Sequence, residues 1–335
     1  MAKLFGENLT KREILKRVGD ISTIAGAREL EYTTGAAKGM RCIEVKNGAG
    51  LTFTVLPDRN MDISYASYKG VPISYISKVG EKAPCFYDEK DFLRNFTAGL
   101  ITTCGFTYCG APCTDNGEQL GLHGRIANIP ACDVCVSCDW VGDDYIITIK
   151  GVSCQATVFG ENLINTRTIT VKIGENAIKM ENVIENCSFN KTPFMVINHI
   201  NLGYPLVSEH SKISTNCEYL RPINDEGRIH EKDKFEISAP IHNFSEQVYL
   251  YKSPESAWAM IENEKLGFGL KLSYKGETLP YLIEWKMMGE GEYVVGLEPS
   301  NCSSEGRVVN RDNDMLKYLD AGEITKYSCL FEIVE

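Results

Sequence analysis

For most of its length the chain alternates apolar and polar residues over short runs, and that two-residue period predicts strands rather than helices. In "LTFTVL" Leu51, Phe53 and Val55 alternate with polar threonines, and "YIITIK", "NTRTITVKI", "AIKMENVIEN", "PFMVINHI", "LGFGLKLSY", "EYVVGLE" and "YSCLFEIVE" continue the habit. Turn signals such as Asn47-Gly48, Gly174-Glu175-Asn176 and Gly289-Glu290-Gly291 separate the runs, which predicts antiparallel sheets. Helical patterns are few. "LTKREILKRV" offers Thr10 as N-cap with Glu13 three residues on, a capping box that predicts a short helical segment at about residues 8–18, and "YDEKDFLRNF" predicts a second. No linker, low-complexity tract or internal repeat interrupts the strands, so the expected fold is all-β, one large antiparallel β-sandwich over residues 1–335 with a few short helices.

Composition narrows the partners. Of 335 residues 43% are hydrophobic, enough for a sizeable core, and a formal charge of -10 repels phosphate backbones and anionic lipids. Nucleic acid is not an expected partner, and no apolar run approaches the roughly 18 residues of a membrane span. The N-terminus lacks the apolar stretch of a secretion signal, so a cytoplasmic location is expected and the 13 cysteines should mostly stay reduced. The run "CDVCVSC" spaces Cys132, Cys135 and Cys138 as metal ligands are sometimes spaced. It lies in a predicted strand, where Cys132 and Cys138 share one face and Cys135 the other, so these thiols are not expected to converge on a metal.

Signature motifs of nucleotide, zinc-protease and serine-hydrolase chemistry are absent, so candidate chemistry rests on scattered ionisable residues. His123 in "GLHGRIANIPA" and His199 in "NHINLGYP" lie among glycines, asparagines and a proline at apparent strand ends, where a side chain can face a cleft or simply be hydrogen-bonded in place. His210, His230 and His242 lie in polar stretches that read as solvated loops. Glu298 in "YVVGLEPSN" ends a strongly apolar strand just before a proline and should be partly desolvated. Two imidazoles and a carboxylate form a minimal acid–base set, provided that the fold gathers them.

"GLHGR", "NHINLGYP" and "GLEPSN", in that order in a chain of this kind, resemble the aldose 1-epimerase (galactose mutarotase-like) family, and "GLTFTVLPDRNMDISYASYKGVPI" resembles a less characterised branch of it. The resemblance runs from about the first helix onward. It implies a supersandwich with the site in a concave cleft of one sheet, no cofactor, no metal, and a small-molecule sugar as partner. It also implies catalytic roles for His123, His199 and Glu298. Glu298 would be the base that takes the anomeric hydroxyl proton, and His199 the acid on the ring oxygen, held as imidazolium by a nearby carboxylate. His123 would bind the same region. An isomerase interconverting sugar anomers through an opened ring is the activity implied.

Two features depart from the better known mutarotases. "LHGR" supplies Arg125 and "PDRNMDI" supplies Arg59, either of which could fork onto sugar hydroxyls, onto an anionic group of a modified sugar, or onto a structural partner. The family's substrate-binding aspartate has no clear match; Asp225 and Asp233 are candidates by position only. Trp285, on the strand joined to the Glu298 strand by the "GEGEY" hairpin, is the expected stacking platform, and Asn201, sharing strand parity with His199, a hydroxyl ligand or a cap for the strand end. A related sugar isomerase or epimerase, a non-catalytic sugar-binding or sensing protein of the same fold, and a metal protein using the cysteines stand as alternatives, and a homodimer is left open.

Overall fold

The computed structural model describes residues 1–335. Every ladder in it is antiparallel, as the short turns between alternating runs require. An eight-stranded sheet runs in the order Cys132–Val141, Asp144–Ala156, Asn162–Lys172, Ala177–Asn186, Ile324–Val334, Phe268–Lys275, Ser256–Asn263 and Ser211–Thr215. Facing it, a seven-stranded sheet runs Glu218–Pro222, Gln247–Lys252, Tyr281–Gly289, Glu292–Ser300 and Thr192–Gly203, the last pairing with both Lys317–Leu319 and Ile101–Phe106. A five-stranded sheet holds Gly26–Glu31, Arg41–Lys46, Leu51–Leu56, Asp62–Tyr68 and Val71–Pro72.

Strand alternation decides where the core lies. Phe194, Val196, Ile200 and Leu202 of one strand join Ile147, Ile149 and Ile169 of the eight-stranded sheet and Phe53 and Val55 of the five-stranded sheet in one buried apolar cluster that extends from Ala2 to Phe331. Within it sits a polar island. Arg167 is fully buried and donates to Asp62 (2.5 Å), Thr103 Oγ1 (2.7 Å) and Asn182 (2.8 Å). Asp62 in turn accepts from the amide and hydroxyl of Thr103, so a buried charge is met on every side, as burial demands.

The opposite face of the seven-stranded sheet carries a second, smaller cluster with Phe92, Phe96, Met195, Ile197, Val248, Leu250 and Ile283. On Tyr281–Gly289 the alternation is plain: Ile283 and Trp285 belong with this second cluster, while Glu284 and Lys286 point the other way. There Lys286 Nζ donates to the carbonyls of Asp233, Lys234 and Glu236 at 2.9–3.0 Å.

Helix content is as sparse as the pattern implies. The capping box forms, with Thr10 and Glu13 satisfying each other's amides, but the helix it starts covers only Lys11–Leu15, less than the stretch 8–18. "YDEKDFLRNF" forms no α-helix; it holds a single 3-10 turn at Phe92–Arg94 whose phenylalanine turns inward. The cysteine run is the strand Cys132–Val141, but a bulge between Cys132 and Cys135 adds a residue and resets the alternation. Cys132 faces Val152 and Cys135 faces Lys150, on one side, whereas Cys138 faces Ile147 and packs on the core. The expected pairing of Cys132 with Cys138 on one face is therefore corrected: Cys132 and Cys135 share the outer face and Cys138 opposes them.

Candidate active site

The register of two strands far apart in sequence builds the centre of the site. Ile197 faces Ser300 and Asn201 faces Gly296, which puts His199 directly across from Glu298. Both side chains rise from the same face, and His199 Nε2 lies 3.2 Å from Glu298 Oε1 without the alignment of a hydrogen bond. His199 is 5% exposed and Glu298 2%.

Gly296 makes room for this pair. A Cβ there would fall 2.5 Å from Glu298 Oε1 and 3.0 Å from Trp285 Cβ, so the carboxylate lies across the bare backbone beside the indole. Trp285 faces Gly296 across the hairpin and its ring centroid is 5.2 Å from that of His199. His123 arrives from a loop, its ring centroid 5.6 Å from His199 and nearly perpendicular. The turn that carries it, with His123 at φ 60° and Gly124 at φ 76°, is stitched to Gly105 and Gly110 by backbone bonds of 2.9–3.0 Å. A Cβ on Gly124 would sit 2.4 Å from the Gly105 carbonyl oxygen, which explains the glycine of "LHGR".

Aromatic rings close the cleft. Phe92 lies 5.1 Å from His123 and Phe96 5.1 Å from His199, centroid to centroid. The polar atoms beneath them have no protein partner: His123 Nδ1, His199 Nδ1, Glu298 Oε1 and Asn201 Oδ1 are all buried and unpaired. Buried polar groups are ordinarily satisfied, so a concentration of unpaired ones marks a place made for a polar ligand.

Burial also sets the charges. It pushes His199 down to about 3, with the neighbouring His123 adding to the effect, and His123 down to about 4. It pushes Glu298 well above the ordinary carboxylate range, helped by the negative charge of Glu246. Burial thus favours the neutral form of each group and works against the expected imidazolium at His199.

The remaining expected site residues divide. Asn201 is on the cleft face, but its amide nitrogen is spent on the carbonyls of Gly99 (3.1 Å) and His199 (2.8 Å), leaving only Oδ1 free. Arg59 is 3% exposed and donates to the carbonyls of Lys82 (3.0 Å) and Asn95 (3.1 Å), so it ties down both ends of the segment that bears Phe92. Arg125 turns away from His123 into a carboxylate cluster, 2.7 Å from Glu89, 3.5 Å from Glu161 and 3.6 Å from Glu118. Asp225 is an exposed helix residue paired to Arg228, and Asp233 lends only its carbonyl to Lys286. The carboxylate that does stand at the cleft is Glu246, which accepts from Trp285 Nε1 at 2.8 Å. Nothing in its local sequence, a polar loop, set it apart; only the cross-strand neighbour reveals it.

A family profile described as a domain of unknown function, DUF4432, matches residues 37–333. The chain belongs to the DUF4432 family. No curated protein matches the sequence. Among solved structures, this DUF4432 chain is similar to a Klebsiella pneumoniae protein whose name, aldose 1-epimerase, is provisional: TM-score 0.88 at 21% identity, over 98% of this chain and 87% of that one. It is similar to a galactose mutarotase-like protein of Clostridium acetobutylicum, with TM-score 0.67 and 15% identity over 93% and 99% of the two chains. A galactose 1-epimerase of Lactobacillus acidophilus gives TM-score 0.60 at 15% identity over 93% and 99%. The DUF4432 chain therefore has the galactose mutarotase-like fold, an all-β supersandwich.

Proposed function

We propose that this protein is an aldose 1-epimerase-like isomerase that interconverts the anomers of a sugar by general acid–base opening of the ring. The observation that carries the reading is the buried Glu298–His199 pair at 3.2 Å, flanked by His123, Trp285 and unpaired polar atoms. In the reaction a base takes the proton of the anomeric hydroxyl while an acid protonates the ring oxygen, and the C1–O5 bond breaks to give an aldehyde. Rotation about C1–C2 followed by closure on the other face gives the second anomer, the base returning its proton to O1 and the acid recovering its own from O5. The pair needs to hold one proton for this cycle, and the raised proton affinity of the buried Glu298 favours keeping it there before the sugar arrives. Sugar hydroxyls donating to the carboxylate favour its ionised form, and the proton then has His199 within 3.2 Å to receive it. Glu298 thereby becomes the base and His199 the acid.

The pyranose face stacks on Trp285, whose indole is held by Glu246, and Asn201 Oδ1 accepts from a hydroxyl. Neither arginine offers a free guanidinium to an anionic sugar, which favours a neutral one. The test is anomer exchange followed by NMR across a panel of neutral and anionic aldoses. Glu298→Gln keeps the shape but cannot accept a proton, so exchange should fall by about 10²–10⁴-fold with the fold intact. A Glu298→Gln protein exchanging at the wild-type rate would remove Glu298 from the reaction, and a wild-type protein that binds a sugar without exchanging its anomers would be a binder rather than an enzyme.

A further inference from the structure

A cavity of about 1020 Å³ does not lie over the Glu298–His199 pair; it is a groove on the outer face of the five-stranded sheet. The groove and the cleft nevertheless share one surface. The chain after Val71–Pro72 continues as a partner of the His199 strand, with Ser74 bridged to Leu202, Tyr75 N–H bonded to the Asn201 carbonyl (3.0 Å) and Gly203 N–H to the Ile73 carbonyl (3.2 Å). The two sheets are thereby joined edge to edge, and both turn their apolar sides into the same core. What faces outward on one is continuous with the cleft face of the other. Tyr75 stands at the seam, lining the groove and also packing on the cluster that contains Phe96 and abuts Trp285.

The chemistry of the groove is specific. Tyrosines 65, 75, 204 and 293 line it, with Tyr65 50% and Tyr204 71% exposed, and Thr52, Thr54 and Ser67 supply hydroxyls along its floor. Of its charges, Arg28 pairs with Glu44 at 2.7 Å, and Lys46 Nζ is held by the Thr23 carbonyl at 3.1 Å. Flat aromatic faces interleaved with hydroxyls, with the one lysine engaged by a carbonyl, suit a neutral carbohydrate chain. Gly203 lies four residues from His199 along one strand, roughly 13 Å at the rise of an extended chain. That distance leaves room for one sugar at the catalytic pair and further units beyond it.

We propose that the substrate of this cleft is the reducing end of a neutral oligosaccharide, whose following sugars lie along the tyrosine groove. The inference rests on the reading of Glu298 and His199 as an anomer-exchange pair. A sugar that opens must carry a free anomeric hydroxyl, so the rest of the chain leaves through its other oxygens, away from C1 and toward Tyr75 and the groove.

The experiment compares anomer exchange of glucose, galactose and mannose with that of maltotriose, cellotriose, galactotriose and mannotriose, for wild type, Tyr204→Ala and Thr54→Arg. A trisaccharide should show a higher kcat/KM than its parent monosaccharide. Tyr204→Ala should lower that advantage about five- to tenfold and Thr54→Arg should abolish it, with the losses confined to KM of the longer sugars. Exchange confined to monosaccharides, or equal losses on short and long sugars, overturns the inference while leaving the pair's function standing. Exchange with no sugar of the panel removes both together. An oligomer seen by sedimentation that Thr54→Arg dissolves would assign the groove to a second copy of the chain and overturn the inference as well.

Discussion

Gly296→Ala is the sharpest probe of the site, because it adds one methyl group at a place where the backbone tolerates it and the neighbours do not. The new Cβ would sit 2.5 Å from Glu298 Oε1, whereas an ordinary carbon–oxygen contact is about 3.3 Å or longer, so the carboxylate must retreat by roughly 0.8 Å. On the other side Trp285 Cβ, 3.0 Å away, is fixed to its own strand and cannot yield as far. Misplacing a catalytic group by about 1 Å costs up to about 10²-fold, so the exchange rate should fall roughly 10- to 100-fold. Overpacking costs about 1–3 kcal/mol, partly offset by the about 0.4–1 kcal/mol that Gly→Ala contributes through the unfolded chain, so melting should drop by only a few degrees. The loss should appear in kcat more than in KM. In a Glu298→Gln background the alanine should cost no further rate, since the displaced group is already disabled. A Gly296→Ala enzyme with full activity, or one whose loss adds fully to that of Glu298→Gln, would refute the claim that the carboxylate lies across this glycine.

Two further outcomes follow from burial. Both imidazoles titrate below the ordinary 6.5, at about 4 for His123 and about 3 for His199, so below pH 6.5 the unfolded chain binds protons that the native protein refuses; stability should be full above pH 6.5 and fall as pH drops toward 4. Glu298 has the opposite sign: its raised value means that the native state keeps a proton that the unfolded state loses above about 4.5, so replacing it by Gln should raise the melting temperature more at pH 8 than at pH 5. Equal changes at both pH values would show that the carboxyl is not held neutral. Arg59→Met should act through structure: the buried carbonyl of Asn95 loses its donor at about 1–3 kcal/mol, the part-buried one of Lys82 loses its donor too, and the Phe92 segment loosens, so thermal melting should fall while KM per folded molecule changes little. A large rise in KM without destabilisation would mean that the guanidinium reaches substrate after all.

Strand-period reasoning reaches far in this chain because sheet faces are written in alternation, and "LTFTVL" or "PFMVINHI" show their buried sides directly. The same logic places Trp285 beside Glu298, since a hairpin fixes register. It fails where one residue breaks the count, as in the bulge after Cys132, which no composition cue announces. It also fails for side chains on loops. Arg125 is two residues from His123 yet faces the Glu89 cluster, because the left-handed turn at His123-Gly124 swings the chain around. Phe92 and Phe96 lie in the segment expected to be helical and instead fold over the imidazoles. Glu246 and Gly296 owe their importance wholly to what lies across the strand, which is tertiary information.

An enzyme that opens a sugar ring releases an aldehyde within its own walls, and an aldehyde beside a free amine condenses to an imine. Lys286 follows Trp285 directly in the chain, yet its ammonium points through the sheet to the far side, where three carbonyls hold it. A slip of one residue in the pairing of Tyr281–Gly289 with Glu292–Ser300 would turn every side chain over, withdraw the indole and present that amine to the open-chain sugar. For the proposed ring opening, the register of one hairpin thus keeps a free amine away from the open-chain aldehyde.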